Sequence, residues 1–255
     1  MLNIASFVVF PMFLIFVRLG TCIMIFPGLS DISVNTRVRL LLAVFCTFAM
    51  FPVLEPTIPL LPESMTTMLS FLFIELAIGI MMGISARLFV TALHVAGELI
   101  SFSSGLQAST LFDPSMGGNS TAPSLLLSMM ATVLIFVTNL HHVMLLAILD
   151  SYTMFPVGMM PDLGDAAKAV TQVVSDLFLI GVKLASPVVA VGFLVYVGFG
   201  IFNRLIPQLQ VFFVAMPLTI VIGLFMMGIT LGGIITLFTE QLFDHAVLFT
   251  QENDI

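Results

Sequence analysis

The chain has very few charged side chains and no tryptophan. Only 8% of its 255 residues are Asp, Glu, Lys or Arg, whereas a soluble domain carries about 25%. Hydrophobic residues make up 60% of the sequence, and the mean hydropathy is +1.20. This composition is typical of an integral membrane protein surrounded by lipid. The net charge of −7 also argues against nucleic acid as a partner, because nucleic-acid-binding proteins carry clusters of Lys and Arg.

The sequence also lacks the usual patterns of redox, metal and catalytic sites. Its two cysteines, Cys22 and Cys46, lie within apolar runs, which favours packing roles over a disulfide or a metal site. There is no nucleophile elbow, zinc-protease motif, phosphate-binding loop or dinucleotide fingerprint. We therefore expect neither an enzyme nor a cofactor. The N-terminal run has no basic flank, so we expect a retained anchor instead of a cleaved signal peptide.

What the sequence does contain is a series of long apolar runs. A membrane-spanning helix needs about 20 such residues. Six runs are candidates, and they cover residues 4–28, 38–54, 66–89, 124–148, 174–201 and 211–238. They predict an all-α membrane protein of about six helices.

Prolines interrupt several of these runs. Pro11, Pro187 and Pro217 lie inside runs and each removes a backbone hydrogen bond, while Pro207 separates the fifth run from the sixth. We therefore expect several helices to be kinked or broken. After the second run, four further prolines predict an extended, polyproline-like connector; they are Pro52, Pro56, Pro59 and Pro62.

Small and polar residues recur at spacings of three or four from the third run onward. They are Gly79, Gly83, Arg87, Thr91, His94, Glu98, Ser101 and Gly105. Helical geometry places them on one stripe of a single long helix, with Glu75 at the edge of that stripe. Lipid would not tolerate the stripe, so we expect it to face protein or water. Gly79 and Gly83 form a small-xxx-small pair that permits close approach of another helix.

The stripe leads into an irregular, turn-forming segment at residues 105–123. Asp113-Pro114 and Gly117-Gly118 are incompatible with a continuous helix there. Inside a membrane protein, non-helical backbone survives only within protein or beside water. The segment therefore indicates a lumen, or a plug in one.

The histidines allow two interpretations each. His141 and His142 could form a metal or proton site, but adjacent helical residues point about 100° apart, so a pair at a helix end or membrane interface is favoured. His94 and Glu98 are i,i+4 neighbours that could relay protons. A structural hydrogen bond at a helix contact is the commoner role for such a pair.

Three further charges lie within apolar runs. Lys183 lies beside Pro187, with Asp176 two turns earlier, and it suits a transport pathway and a contact with a partner chain equally well. Arg18 lies inside the first run, and the sequence does not name its carboxylate partner. An ion- or solute-coupled transporter using His94, Glu98 and Lys183 is therefore the alternative function. It predicts inverted repeats with paired broken helices, which the proline positions support only weakly.

Three motifs occur in a characteristic order along the chain. Residues 105–114 read GLQASTLFDP and precede a Gly/Ser stretch, residues 139–142 read NLHH, and residues 203–213 read NRLIPQLQVFF before MPL at 216–218. Their order, together with the six-run hydropathy, resembles the FliR family of the flagellar type III export gate over nearly the whole chain. The departures are Leu140, where glycine is common, and the missing tryptophan. The motifs leave the virulence-type homologue of the family open.

The resemblance implies a non-enzymatic gate subunit in the bacterial inner membrane, at the flagellar basal body. It implies one gate domain over residues 1–255, with N-terminal helices and a plug loop in 1–123 and helical hairpins in 124–255. Implied partners are FliP-like and FliQ-like gate subunits, an FlhB-like switch protein and unfolded flagellar proteins in transit. We expect Lys183, Pro187, Arg204, Pro207 and Pro217 to be subunit contacts or kinks.

In the family the central loop reaches into the pore, which places the plug here at residues 105–121. An apolar constriction stops ions by dewetting, and the resemblance assigns the sealing side chains to Leu106, Leu111, Phe112 and Met116. Gly117 and Gly118 provide hinge freedom. The other predicted plug residues are Gly105, Asp113 and Pro114.

Overall fold

The computed structural model of the chain describes residues 2–30, 34–59, 61–62, 64–107, 120–159, 163–206 and 211–249. Within these residues all the regular elements are helices, which confirms the predicted all-α class. The elements are α1 (Leu2–Ile25), α2 (Thr36–Leu54), a 3-10 turn (Glu55–Thr57), α3 (Met65–Ser103), α4 (Ala122–Val137), α5 (Leu140–Met154), α6 (Leu163–Leu205) and α7 (Val211–Phe249).

The helices have the length and hydropathy of membrane spans. Among the described residues, five are long and apolar enough to cross a bilayer, or six if α4 and α5 form one bent span. Helix α3 has 39 residues, so it is about 58 Å long, whereas a bilayer core is about 30 Å thick. The prediction that the third run continues past residue 89 as one helix is confirmed.

The fourth run differs from the prediction of a single helix. Helices α4 and α5 meet at an angle of 73°. Asn139 lies between them with a φ of 59°, a left-handed conformation that asparagine tolerates better than other side chains with a β-carbon. The helix therefore ends at Val137 and a new one begins at Leu140.

The extended connector predicted after the second run is wrong at two of its prolines. Pro52 lies inside the last turn of α2, and Pro56 lies in the 3-10 turn that follows. Pro56 is the second residue of that turn, where the N–H that proline lacks would have no partner within the turn. The backbone becomes extended only at Ile58.

The three prolines predicted inside helices are found there. Pro11, Pro187 and Pro217 lie within α1, α6 and α7, and each helix continues through its proline. Pro207 lies outside the described residues.

The chain divides into two compact units that alternate along the sequence. The first comprises Met1–Leu88, Ile135–Val174 and Asp244–Ile255, and the second comprises Phe89–Leu134 and Ser175–Phe243. Helix α3 therefore contributes its first part to one unit and its last part to the other.

The first unit is built around α1. Leu14, Ile15 and Leu19 of this helix are fully buried. A β-carbon on Gly79 would collide with the carbonyl oxygen of Arg18, and one on Gly83 would collide with Ile25. The small-xxx-small pair of α3 thus lies directly against the backbone of α1, as its spacing predicts.

Candidate functional site

The two ends of the central segment are joined by hydrogen bonds between α3 and the start of α4. The backbone N–H of Thr121 donates to Oε1 of Glu98 at 3.1 Å, and the Thr121 hydroxyl lies 3.3 Å from the same oxygen. The hydroxyls of Ser101 and Thr121 are 2.5 Å apart. Because a carboxylate only accepts, Thr121 donates to Glu98 and Ser101 donates to Thr121. We call Glu98, Ser101, Thr121 and Ser124 the neck.

The three hydroxyl residues of the neck are closed to solvent, whereas the Glu98 side chain is 30% exposed. Ser101 and Ser124 are completely buried and Thr121 is 1% exposed. Ser124 adds a hydrogen bond from its hydroxyl to the Thr121 carbonyl at 2.9 Å. A β-carbon on Gly97 would collide with the backbone of Ser124, so α3 and α4 touch here backbone to backbone.

The Glu98 carboxylate acts as an N-terminal cap supplied by another helix. The first backbone N–H groups of a helix have no intrahelical partner, and the helix dipole favours a negative charge there. Glu98 accepts the N–H of Thr121, the residue just before α4, and places its negative charge at that helix end, from a position 23 residues earlier in the chain. This contact between Glu98 and Thr121 fixes the point where the central segment, residues 105–121, returns to helix at Ala122.

His94 extends this polar contact by one turn. Its Nδ1 lies 3.2 Å from the hydroxyl of Ser128 on α4. Its Nε2 is 4.0 Å from Oε1 of Glu98. The arrangement is that of a structural hydrogen bond between two helices, which is one of the two roles that the sequence leaves open for this pair.

Helix α3 ends where the central segment begins. Gly105 has a φ of 73°, which favours glycine and stops the helix in the manner of a C-terminal cap. The amide of Ser104 donates to the Ile100 carbonyl at 2.9 Å, and that of Gln107 donates to the Ser101 carbonyl at 3.3 Å. The chain therefore leaves α3 by a tight turn, and Gly105 lies just beyond the helical stripe instead of on it.

The structure describes every residue of the predicted polar stripe and, of the residues named for the predicted plug, only Gly105 and Leu106. Gly79 and Gly83 pack against α1, Arg87 is exposed on α3, and His94, Glu98 and Ser101 contact the α4 side of the segment. Gly105 and Leu106 are described and partly exposed. The remaining predicted plug residues lie outside the described part of the chain, and they are Leu111, Phe112, Asp113, Pro114, Met116, Gly117 and Gly118.

Sequence reasoning missed the α4 side of the neck. Thr121, Ser124 and Ser128 follow one another at spacings of three and four, so they form a short polar stripe at the start of an otherwise apolar helix. Two polar stripes on either side of one irregular segment are the pattern that could have revealed the contact.

A second buried polar cluster lies in the first unit and gives Arg18 its partner. The guanidinium is completely buried and contacts the Glu75 carboxylate through two nitrogens, at 2.6 Å and 2.9 Å. It also donates to the Ser151 hydroxyl and to the Phe155 carbonyl, at 3.1 Å and 3.0 Å, and lies over the ring of Tyr152. This forked pair joins α1, α3 and the end of α5.

The histidine pair lies at the start of α5. The rings of His141 and His142 are 4.1 Å apart, and His141 also contacts Phe136. The described residues contain no group of three or more His, Cys, Asp or Glu that could hold a metal ion. His141 and His142 lie in the first turn of α5, which is the helix-end position that the sequence analysis favoured.

Comparison with known proteins identifies the family. The model of bacterial export proteins, family 1, matches residues 9–245. The flagellar biosynthetic protein FliR of Caulobacter vibrioides is 35% identical over 96% of this chain and 98% of its own length. FliR of Escherichia coli is 32% identical over 85% of this chain and 82% of its own, and that of Bacillus subtilis is 28% identical over 88% of each. The chain therefore belongs to the FliR family of bacterial export proteins, which are membrane subunits of the flagellar type III export gate.

Proposed function

We propose that residues 105–121 form the plug that seals the resting export channel, and that the neck holds this plug in place. Membership of the FliR family makes the chain a non-enzymatic subunit of the flagellar export gate. The family assignment decides against the stand-alone transporter.

The observation that carries the proposal is the double contact of Glu98 with Thr121. It brings the end of α3 and the start of α4 together, so the residues between them must leave and return at one point. A loop anchored in this way can be displaced without separating the helices that carry it. This property suits a plug that yields to a polypeptide and then returns.

The chemistry of the plug supports the same role. Its apolar members are Leu106, Leu111, Phe112 and Met116. Apolar side chains across a narrow passage exclude water and therefore ions. Methionine is unbranched and adaptable, so it can close around objects of different shape.

The proposed partners follow from the family. The chain works in a complex with FliP-like and FliQ-like subunits and an FlhB-like switch protein, and unfolded flagellar proteins pass through it. In this arrangement residues 1–255 act as one gate domain. The outward apolar faces of α2 and α6 support such an assembly, because Phe45 is 72% exposed and Leu194 is 67% exposed.

The test is deletion of residues 109–119 in cells that express the complete gate. We expect a measurable ion leak through the idle channel, with the deleted chain still present in the complex. Co-purification of the deleted chain with the partner subunits is the control for assembly. An unchanged leak together with unchanged export would remove the plug assignment.

A further inference from the structure

Lys183 is a charged side chain on an apolar helix surface. It belongs to the segment Val170–Leu205 of α6, whose mean hydropathy is 2.2. Lys183 is exposed, and so are its neighbours Leu179 and Val182 on the same helix, at 51% and 38%. The cation therefore stands on a surface that is otherwise suited to lipid or to another apolar helix.

The orientation of α6 in its unit explains why Lys183 points outward. Ile180, Leu184 and Val188 lie on the opposite side and are buried. A β-carbon on Gly181 would collide with the carbonyl oxygen of Ala92, so this side lies directly against α3. The helix cannot rotate to hide Lys183 without giving up these contacts.

The backbone carbonyl of Lys183 has a hydrogen-bond donor, whereas the side-chain ammonium has no acceptor among the described residues. Pro187 has no N–H to donate to the Lys183 carbonyl, and the Ser186 hydroxyl donates to that carbonyl instead, at 2.7 Å. Among the residues that the structure describes, the ammonium has neither a hydrogen-bond acceptor nor an ion-pair partner. A cation at membrane depth without such a partner is costly.

We infer that Lys183 binds a carboxylate side chain of a neighbouring gate subunit, on a helix that packs along this face of α6. Ser186 and Ala190 continue the exposed face next to Lys183, and their small side chains allow a second helix to approach closely. An Asp or Glu on that helix would meet the ammonium and neutralise it. This inference rests on the gate assembly proposed above.

A lipid phosphate is a poorer match for Lys183. The exposed residues one turn and two turns beyond Lys183 are Ser186 and Ala190, whose small side chains suit a closely packed helix. A lipid headgroup gains nothing from such small neighbours, so a carboxylate on a packed helix is the better match for the ammonium.

The experiment is co-purification of the gate from cells that express this chain with its partner subunits. We expect Lys183→Met to lower the yield of complex about tenfold, as the loss of one polar contact between membrane helices implies. Lys183→Arg keeps the charge and should retain most of the yield. Lys168→Met is the matched control, since Lys168 lies on the same helix but pairs with Asp165 at an exposed position, at 3.1 Å.

The partner carboxylate can then be located genetically. Lys183→Glu should abolish assembly, and an Asp or Glu changed to Lys in a partner subunit should restore it. Equal yields for wild type and Lys183→Met, with equal amounts of chain in the membrane, would overturn the inference and leave the gate assignment standing. A wild-type yield that depends on added phosphatidylglycerol, with no such dependence in Lys183→Met, would also overturn it in favour of a lipid. Failure of the wild-type chain to assemble would instead contradict the proposed function.

Discussion

Replacing Thr121 by valine removes one hydroxyl from the neck and keeps the shape of the side chain. That hydroxyl contacts the Ser101 hydroxyl at 2.5 Å, a Glu98 oxygen at 3.3 Å and the Ser124 hydroxyl at 3.2 Å. Ser101 is completely buried, so it would lose its partner without gaining water. Leaving a buried polar group unpaired costs about 1–3 kcal/mol. We take about 2 kcal/mol, which is about a thirtyfold change in an equilibrium constant.

The backbone N–H of Thr121 still reaches Glu98 in this variant, so the neck is weakened without being removed. Hydrogen exchange of the assembled gate measures this directly, because exchange at the first amides of α4 requires the neck to open. We expect the exchange rate at residues 121–125 to rise about thirtyfold in Thr121→Val.

Thr132→Val is the control for this measurement. Its hydroxyl donates only to the Ser128 carbonyl of its own helix, at 3.2 Å, so exchange at residues 121–125 should not change. Equal exchange rates in Thr121→Val and Thr132→Val would refute the argument that the neck hydroxyls hold the segment closed.

Three further variants test the fold that carries the site. Arg18→Met should lower the free energy of unfolding by about 3–5 kcal/mol, because it leaves Glu75 buried without its partner. The double variant Arg18→Met with Glu75→Leu should recover most of this stability. Thermal unfolding of the purified chain measures both variants. Gly97→Ala places a β-carbon against the α4 backbone and should destabilise the fold by about 1–3 kcal/mol. In the control Gly228→Ala, the new β-carbon has no other atom within 4 Å, so the stability should not change. Asn139→Val should cost about 1–2 kcal/mol because its φ is left-handed, and Asn139→Gly should be tolerated; a stable Asn139→Val chain would contradict the local argument.

Hydrophobic run length predicts the helices well because a membrane span has to satisfy its backbone internally. The spacing of the small and polar residues also predicts that α3 continues well beyond one bilayer thickness. The break between α4 and α5 escapes such reasoning. Thr138 and Asn139 interrupt an apolar run that is long enough for one span, so run length does not reveal that the left-handed φ of Asn139 separates two helices.

Contacts between distant helices are the other part that the sequence does not determine. Arg18 must have a partner at its depth, yet Glu75, Glu98 and Asp176 are all candidates until α1 and α3 are packed together. The glycine pair Gly79 and Gly83 predicts a close helix approach but not that α1 provides it. Likewise, Glu98 is recognisable on its stripe, whereas its role as the cap of α4 depends on the return of the chain after the central segment.

The most direct measurement of the central claim is the accessibility of residue 115 in the assembled gate. A Ser115→Cys chain, with Cys22 and Cys46 replaced by alanine, is exposed to a membrane-impermeant maleimide in idle cells and in cells with a stalled export substrate. We expect residue 115 to be protected in the idle gate and to react when a substrate displaces the segment. Rapid labelling in the idle, fully assembled gate would contradict the account, because a plug cannot lie in bulk water.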